Sequence, residues 1–461
     1  MSLLSNIFKR NNNNTNKFNE AFFKFIGSGG SSYDLNAKTY IEKGFNINPI
    51  VYSVISQMAT KTSSVPYTIK KIEDKGQKQK LSKLLKATKH ELTPQQEVKR
   101  LMLETKAYTE SEYDMPLESP NPLQTWNEFL ELYKTLIKIT GNVYIYKLMP
   151  SEGRNEGTPL ALYLLPSHLM EIVLKKDANM MSTESPIDGY HLIEGNIGIT
   201  FTADEITHIK YPNPNFDLEG SHLYGFAPFR ALLKNIESSN LALDLNIKTM
   251  KNGGAFGLIH SKGQTPLTHD QAKGLKDRLK EMDADPDKLG KIAGVSAEIG
   301  FTRLSLTTDE LKLFEYLNFD QKQICNALGW SDKLLNNDAG AKYDNISQFR
   351  KQVVIDNIIP DLELFATAFN NDILPLFKNY KGTCLYFEYS ELPEMQEDMK
   401  KMVDWIIPSV KEGLFSRKVA GTFMKLPESD NKLMDEITVS ADILTLEQAL
   451  DDFPNVDSSP I

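Results

Sequence analysis

Ile324-Cys325-Asn326-Ala327-Leu328-Gly329-Trp330-Ser331-Asp332-Lys333-Leu334-Leu335 leads directly into Asn336-Asn337-Asp338-Ala339-Gly340-Ala341-Lys342-Tyr343. With its flanks, Glu310 to Pro375, this is the part of the chain that the rest serves. Upstream, Leu311, Phe314, Leu317, Ile324 and Leu328 recur at helical spacing, so one apolar stripe runs along a helix of about five turns. Gly329 ends it. The run Asn336–Tyr343 is small and polar, too poor in apolar surface to pack itself, which predicts a mobile loop. Asp344 or Asn345 can then accept from the free N–H groups of a new first turn. The long helix that follows carries Ile346, Phe349, Val353, Ile358, Leu362, Phe365, Phe369, Ile373 and Leu376. Pro360 lies inside it, where the missing N–H and the ring should kink the axis.

At 461 residues the chain is too long for one small core, and roughly two to four packing units are expected. No stretch approaches the about 18 uninterrupted apolar residues of a membrane span. Met1–Arg10 lacks the apolar core and small-residue cleavage site of a secretory signal. The only cysteines, Cys325 and Cys384, exclude a disulfide framework and an all-cysteine zinc site, and they fit assembly in a reducing cytoplasm. A formal net charge of −9 argues against a protein that grips DNA by its phosphates, because that grip needs a concentrated basic face. The charge is uneven. Lys70 to Lys89 holds eight lysines and reads as a solvated helix or hairpin, whereas Asp435–Ile461 holds seven acidic residues and no basic one and reads as a loose tail.

In chain order, residues 1–45 have the composition of a flexible arm, with Asn11–Asn14 and Gly27–Ser32 around a short apolar patch. A helix from Pro49 to Met58 is capped by Asn48 and started by a proline that suits the first helical position. A strand follows at Tyr67–Ile72. Beyond Pro116–Pro122, a helix to Ile139 puts Trp126, Phe129, Leu130, Tyr133, Leu136 and Ile137 on one side. Gly141-Asn142 tolerate left-handed backbone and turn it into the strand Val143–Tyr146. Alternating segments at Leu160–Leu165, Met170–Leu174, Tyr190–Glu194, Ile197–Phe201 and Ile206–Tyr211 predict largely antiparallel sheets in an α+β domain. A helix from Pro228 to Lys251 ends at Gly253-Gly254. After it come a strand at Ala255–His260, a helix at Thr268–Met282 with a Thr268/Gln271 capping box, and strands at Ile292–Val295 and Phe301–Leu304. Downstream of the kinked helix, Thr383–Tyr389 reads as a strand able to pair back to the N-terminal half, and Glu397–Val410 and Ser416–Phe423 as short helices.

Three of these places resemble the portal proteins of tailed bacteriophages. Ile324–Leu335 is similar to a family pattern of the kind I-A-x-x-(F/L)-G-(V/W)-x-x-x-L-L, from which Cys325 departs by replacing a small residue with a small residue. Pro120-Asn121-Pro122 with Trp126, Phe129 and Gly141–Tyr144 is the second place. Asp204–Ile209 with Leu223–Phe229 is the third, similar to a D-(I/V)-x-H-I … G-x-S-P-L stretch. Together they span roughly residues 48–392. The resemblance implies a wing (46–227), stem helix 1 (228–251), a clip (252–307), stem helix 2 (308–329), a tunnel loop (330–344), the kinked helix with a wing strand (345–396), a crown (397–440) and the acidic tail (441–461). It implies a ring, typically of twelve copies, at a capsid vertex. Double-stranded DNA would be packaged and ejected through that ring, with terminase large subunit, a head–tail adaptor and the major capsid protein as partners. By the same resemblance Asn336, Asn337, Asp338, Ala339, Gly340, Ala341, Lys342 and Tyr343 face DNA, while Lys273, Lys276, Arg278 and Lys280 on the clip helix face terminase or adaptor.

Catalytic motifs are missing: no His-Glu-x-x-His pair, Gly-x-Ser-x-Gly elbow, Walker loop or cysteine–histidine metal spacing, so no cofactor is expected. Asp283–Lys288 imitates half a calcium loop, but Lys288 stands where the sharp turn needs glycine and Gly294 where a bidentate glutamate is needed. His208 sits in an apolar strand and reads as structural. Pro360-Asp361-Leu362-Glu363 resembles a nuclease carboxylate pair, yet Phe365 occupies the place of the expected lysine. A nuclease-like enzyme without a recognisable motif is the alternative function.

Overall fold

The computed structural model describes residues 37–175, 183–194, 197–215, 221–251, 257–261, 268–270, 273–274, 277, 299–303, 313–335, 343–395, 399–413 and 416–423. Its contacts divide the chain into Met1–Glu388 and Tyr389–Ile461.

Helix α1 spans Pro49–Ser63, where Asn48 Oδ1 accepts from the N–H groups of Ile50 and Val51, each at 3.1 Å. It runs past the expected end at Met58 because Ala59, Thr62 and Ser63 continue the buried face, with Thr62 Oγ1 donating to Met58 O at 2.8 Å. Strand β1 (Tyr67–Ile72) leads to α2 (Lys75–Thr88), capped by Asp74 and closed by a left-handed Lys89. From Lys75 on the lysine run is a largely solvated helix in which only Leu81 is buried, while Lys70 and Lys71 lie on β1. Then come α3 (Pro94–Ala107), β2 (Tyr108–Glu110) and α4 (Trp126–Thr140). Thr125 and Glu128 form a capping box at the start of α4, and the six apolar residues read from its spacing are all buried.

Strands β3 (Asn142–Leu148), β4 (Ala161–Leu165), β5 (Met170–Leu174), β6 (Ile187–Glu194), β7 (Ile197–Thr202) and β8 (Ile206–Lys210) follow. Helix α5 (Phe229–Lys251), strands β9 (Gly257–Ser261) and β10 (Ile299–Arg303), and α6 (Leu313–Leu328) come next. Two helices, α7 (Tyr343–Val353) and α8 (Ile359–Ala368), precede β11 (Thr383–Phe387). In the second unit, α9 covers Met399–Lys411 and α10 Arg417–Phe423. Among the described residues every strand pairing is antiparallel, in sheets ordered β4-β3-β8, β5-β6-β7, β11-β1-β2 and β9-β10. The fold is α+β. Strand β11 does return to the N-terminal part, with Tyr67 opposite Phe387 and Lys71 opposite Thr383.

The expected arm over residues 1–45 is too long. Tyr40–Phe45 forms a wide helical turn, with Tyr40 and Gly44 buried. A Cβ on Gly44 would lie 2.9 Å from the Phe229 ring, so this turn seats directly on α5. The tether composition of Asn11–Asn14 and Gly27–Ser32 does not extend to this turn, one face of which is core. That core joins Tyr40, Val54, Ile55 and Met58 of α1, Phe229 and Leu232 of α5, and Ile324 and Leu328 of α6, with Trp330 and Val353. Burying side chains of this size contributes about 1.5–3 kcal/mol each, which fixes the two long helices at the ends that meet α1. Among the described residues no helix is long and apolar enough to cross a membrane.

Candidate functional site

The chain leaves α6 as its residues dictate. Gly329 takes a left-handed φ of +71°, and Trp330 N–H donates to Cys325 O at 2.8 Å, so Trp330 folds back into the core. A short turn at Asp332–Leu334 follows, with Leu334 and Leu335 packed against the same cluster. Asn336–Lys342 lie outside the described residues. Tyr343 opens α7, a residue earlier than the Asp344 or Asn345 start expected.

The helix around Pro360 departs from plain α-helical spacing. Val354–Ile358 is a wider, five-residue-spaced turn, in which Ile359 N–H bonds to Val354 O. Phe369–Ile373 repeats it, with Leu374 N–H on Phe369 O. Each wide turn immediately precedes a proline pair position, Ile359-Pro360 and Leu374-Pro375. Shifting the ladder to five-residue spacing lets the chain absorb a proline that can neither donate nor tolerate the carbonyl four residues back.

Asn357 sits in the first wide turn and reaches two other helices. Its Nδ2 donates to Leu328 O at 2.6 Å and Gly329 O at 3.2 Å, satisfying carbonyls at the end of α6. Its Oδ1 and backbone O each accept from Lys134 Nζ at 2.9 Å. Lys134, on α4, has no exposed side-chain surface and also donates to Asp361 Oδ2. Lys138 Nζ lies 3.1 Å from the same oxygen, while Tyr211 OH, just beyond β8, donates to Asp361 Oδ1 at 2.7 Å. Tyr133 OH donates to Asp361 O at 2.8 Å. Burial disfavours the Asp361 carboxylate, but the two lysines and the hydrogen bonds outweigh it and hold its pKa below the ordinary value. One buried ion pair with its hydrogen bonds therefore ties α4, the sheet of β8, the kinked helix and the end of α6 together, at the base of the predicted loop.

The sequence reading did not find Lys134, Asn357 and Asp361 as a group, although a signal existed. Lys134 stands between Leu130 and Ile137 in the apolar stripe of α4, and Asp361 between Ile358 and Phe365 in the stripe of the kinked helix. One charge of each sign inside two apolar stripes is the pattern of a buried pair. This pairing takes Asp361 out of the carboxylate pair that Pro360–Glu363 resembles: Asp361 is committed to two lysines, and Glu363 lies 3.7 Å from His90 Nε2. Among the described residues no group of three or more His, Cys, Asp and Glu could hold a metal ion.

His208 is structural, as its strand implied. It is stacked on Tyr144 at 4.3 Å, its Nε2 donates to Asn142 Oδ1 at 3.0 Å, and burial pushes its pKa down to about 3. Asn142 proves different from the expectation. Only Gly141 is left-handed (φ +71°), while Asn142 begins β3 and serves as a buried hub whose Oδ1 also accepts from Gly225 N–H at 2.6 Å.

In the excursion between α5 and α6, β9 and β10 pair with Ile299 opposite Ser261 and Arg303 opposite Gly257. Lys273 is helical and exposed. Lys276, Arg278 and Lys280, the strand expected at Ile292–Val295 and the Asp283–Lys288 run lie outside the described residues. Helices α5 and α6 pack on each other, with Asn235 Nδ2 donating to Asp320 Oδ1 at 3.0 Å. They nonetheless leave large apolar side chains in water: Leu241 (60% exposed) and Ile247 (50%) on α5, Tyr316 (59%) and Phe319 (56%) on α6. Large apolar side chains left in water are the kind of surface that another chain covers.

The phage portal protein family matches residues 49–417, and the chain belongs to that family. No curated protein matches the chain. Among solved structures, it is similar to a chain of the virion of a native gene transfer agent (GTA) particle, with a TM-score of 0.56 at 18% identity over 89% of this chain and 99% of that one. A chain of the neck of a native GTA particle, computed with C12 symmetry, gives 0.54 at 17% identity over 86% and 94%. At such identity the likeness concerns the fold.

Proposed function

We propose that copies of this chain close into a ring at a capsid vertex, through which double-stranded DNA is packaged and later ejected. The observation that carries this reading is the exposed apolar surface of α5 and α6 in a chain of the portal family. A closed ring needs two different, complementary surfaces on each copy, and these helices offer one of them. Twelve copies are consistent with the twelve-fold symmetry of the GTA neck. In this arrangement Asn336–Tyr343 line the narrowest point, and the residues around Lys273, with Lys276, Arg278 and Lys280, meet the terminase large subunit and then a head–tail adaptor. The wing adjoins the major capsid protein. A net charge of −9 per copy suits a channel in which DNA must slide, since phosphate contacts weak enough to be screened within about 8 Å do not hold it. The protein's role in this reading is structural and electrostatic.

Size-exclusion chromatography with light scattering tests the ring. The expected mass is about twelve times 52.2 kDa. A species that stays at one subunit under every assembly condition refutes it, as does an assembled species that survives Tyr316→Asp with Phe319→Asp unchanged.

A further inference from the structure

A cleft of about 780 Å³ opens beside β1, between α3 and the segment after β2. Its wall at residues 111–118 is held in place from both sides: Trp126 Nε1 donates to Leu117 O at 3.0 Å, and Tyr380 OH donates to Asp114 O at 2.8 Å. Tyr113, Tyr108 and Trp126 give the cleft aromatic surface. Its charge is one-sided. Five carboxylates line it (Glu104, Glu110, Asp114, Glu118 and Glu388) against the single cation Lys70. Lys70 is spent on Glu104 at 3.0 Å and Glu388 at 2.6 Å, and Arg100 pairs with Glu104 as well. Glu110, Asp114 and Glu118 have no cationic partner among the described residues. Such a surface takes a ligand that is both cationic and aromatic. Its rim already uses that chemistry, with Lys78 Nζ 5.9 Å from the Tyr108 ring centroid.

The chain carries a segment of this chemistry. Residues 1–36 lie outside the described residues, and between Phe8 and Phe25 they hold Lys9, Arg10, Lys17 and Lys24 against one acid, Glu20, together with five phenylalanines. The described chain begins at Ala37, twelve residues beyond Phe25. Twelve extended residues reach up to about 40 Å. We propose that the Phe8–Phe25 segment docks in this acidic, aromatic cleft, its phenylalanines against the rings and its lysines against Glu110, Asp114 and Glu118. Each seated phenylalanine removes apolar surface from water, and the cations neutralise carboxylates that the wing leaves uncompensated.

The test uses the full-length protein with a photo-cross-linking benzoylphenylalanine at Tyr113, which keeps an aromatic ring at the cleft. Peptide mapping should find the cross-link within Phe8–Phe25. Reversing Lys9, Arg10, Lys17 and Lys24 to glutamate should cut its yield about tenfold, the sum expected of several exposed ion pairs. Glu110→Lys with Asp114→Lys and Glu118→Lys, all at exposed positions, should do the same while circular dichroism stays unchanged. Cross-links that map only to other segments or to another protein, or a yield indifferent to either set of reversals, overturn the proposal.

Discussion

Lys134→Met removes one half of the buried pair at the base of the loop while keeping a side chain of similar length. It leaves Asp361, 4% exposed, with Lys138 as its remaining cation, and strips Asn357 O and Oδ1 of their donor. Breaking a buried pair from one side costs about 3–5 kcal/mol, and Lys138 should hold the cost near the lower end. Unfolding entropy of about 2.1 cal/mol/K per residue over the unit Met1–Glu388 amounts to roughly 0.8 kcal/mol/K. The expected drop in the calorimetric midpoint of that unit is therefore about 4 °C. Lys134→Met combined with Asp361→Leu removes both charges, and replacing a buried pair by apolar groups is often close to neutral. The double variant should thus be more stable than Lys134→Met alone, a coupling that only an interacting pair produces. pH gives a second reading. The folded pKa of Asp361 lies below its ordinary 3.8, so its contribution is fully present above that value and is lost as pH falls through the folded one. The difference between wild type and Asp361→Asn should accordingly shrink on acidification to pH 3. A midpoint that moves by less than about 1 °C in Lys134→Met, or a double variant destabilised by the sum of the singles, refutes the node.

Deleting Asn337–Ala341 should leave ring assembly intact, because Leu335 and Val353 anchor the flanks in the core, and should impair DNA retention in packaged particles; loss of the ring instead would make the segment structural. Gly225→Ala should cost more than about 3 kcal/mol, since its Cβ would lie 1.9 Å from Gly141 O, whereas Gly198→Ala, with nothing within 4 Å, should fall within about 1 kcal/mol of wild type. Soluble yield and thermal midpoint of the two variants decide this.

Much of the architecture was legible because burial leaves a periodic trace. The apolar stripes of α1 and α4, the ends of α5 and α6 that join their cluster, and the alternation in β5 are consequences of a face that meets a core. Asn48 was legible as a cap for a local reason, since its oxygen serves N–H groups two and three residues away. What escaped the reading is what depends on distant partners. Lys134 looks like an interruption of a stripe until Asn357 and Asp361, more than two hundred residues on, are beside it. Asn142 resembled a turn residue because asparagine commonly is one, while its actual work is to receive His208 and Gly225. The wide turns at Val354–Ile358 and Phe369–Ile373 shift the helical period by one residue, which a count at 3.6 spacing cannot register.

These wide turns bear on the loop. Under the proposed function, a segment at the narrowest point has to yield locally to moving DNA without displacing the helices that carry it. In this chain the two ends of the segment are fixed by different means: Leu335 rests on the apolar cluster, and the helix entered at Tyr343 is locked one turn past Val353 by the Asn357 bonds to Leu328 and Gly329. The same asparagine thus holds the helix before the loop and the helix after it. Under that reading, a force on the segment would be carried by this bond set and, through Lys134, by α4. The seven residues between are mostly small and polar and offer little for a core to hold. Asn357→Ala would separate these roles, since it leaves the loop sequence intact and frees its two supports from each other. DNA retention should then fall while the mass of the ring stays the same, and a variant that packages and retains DNA as wild type does would show that the two helices need no common pin.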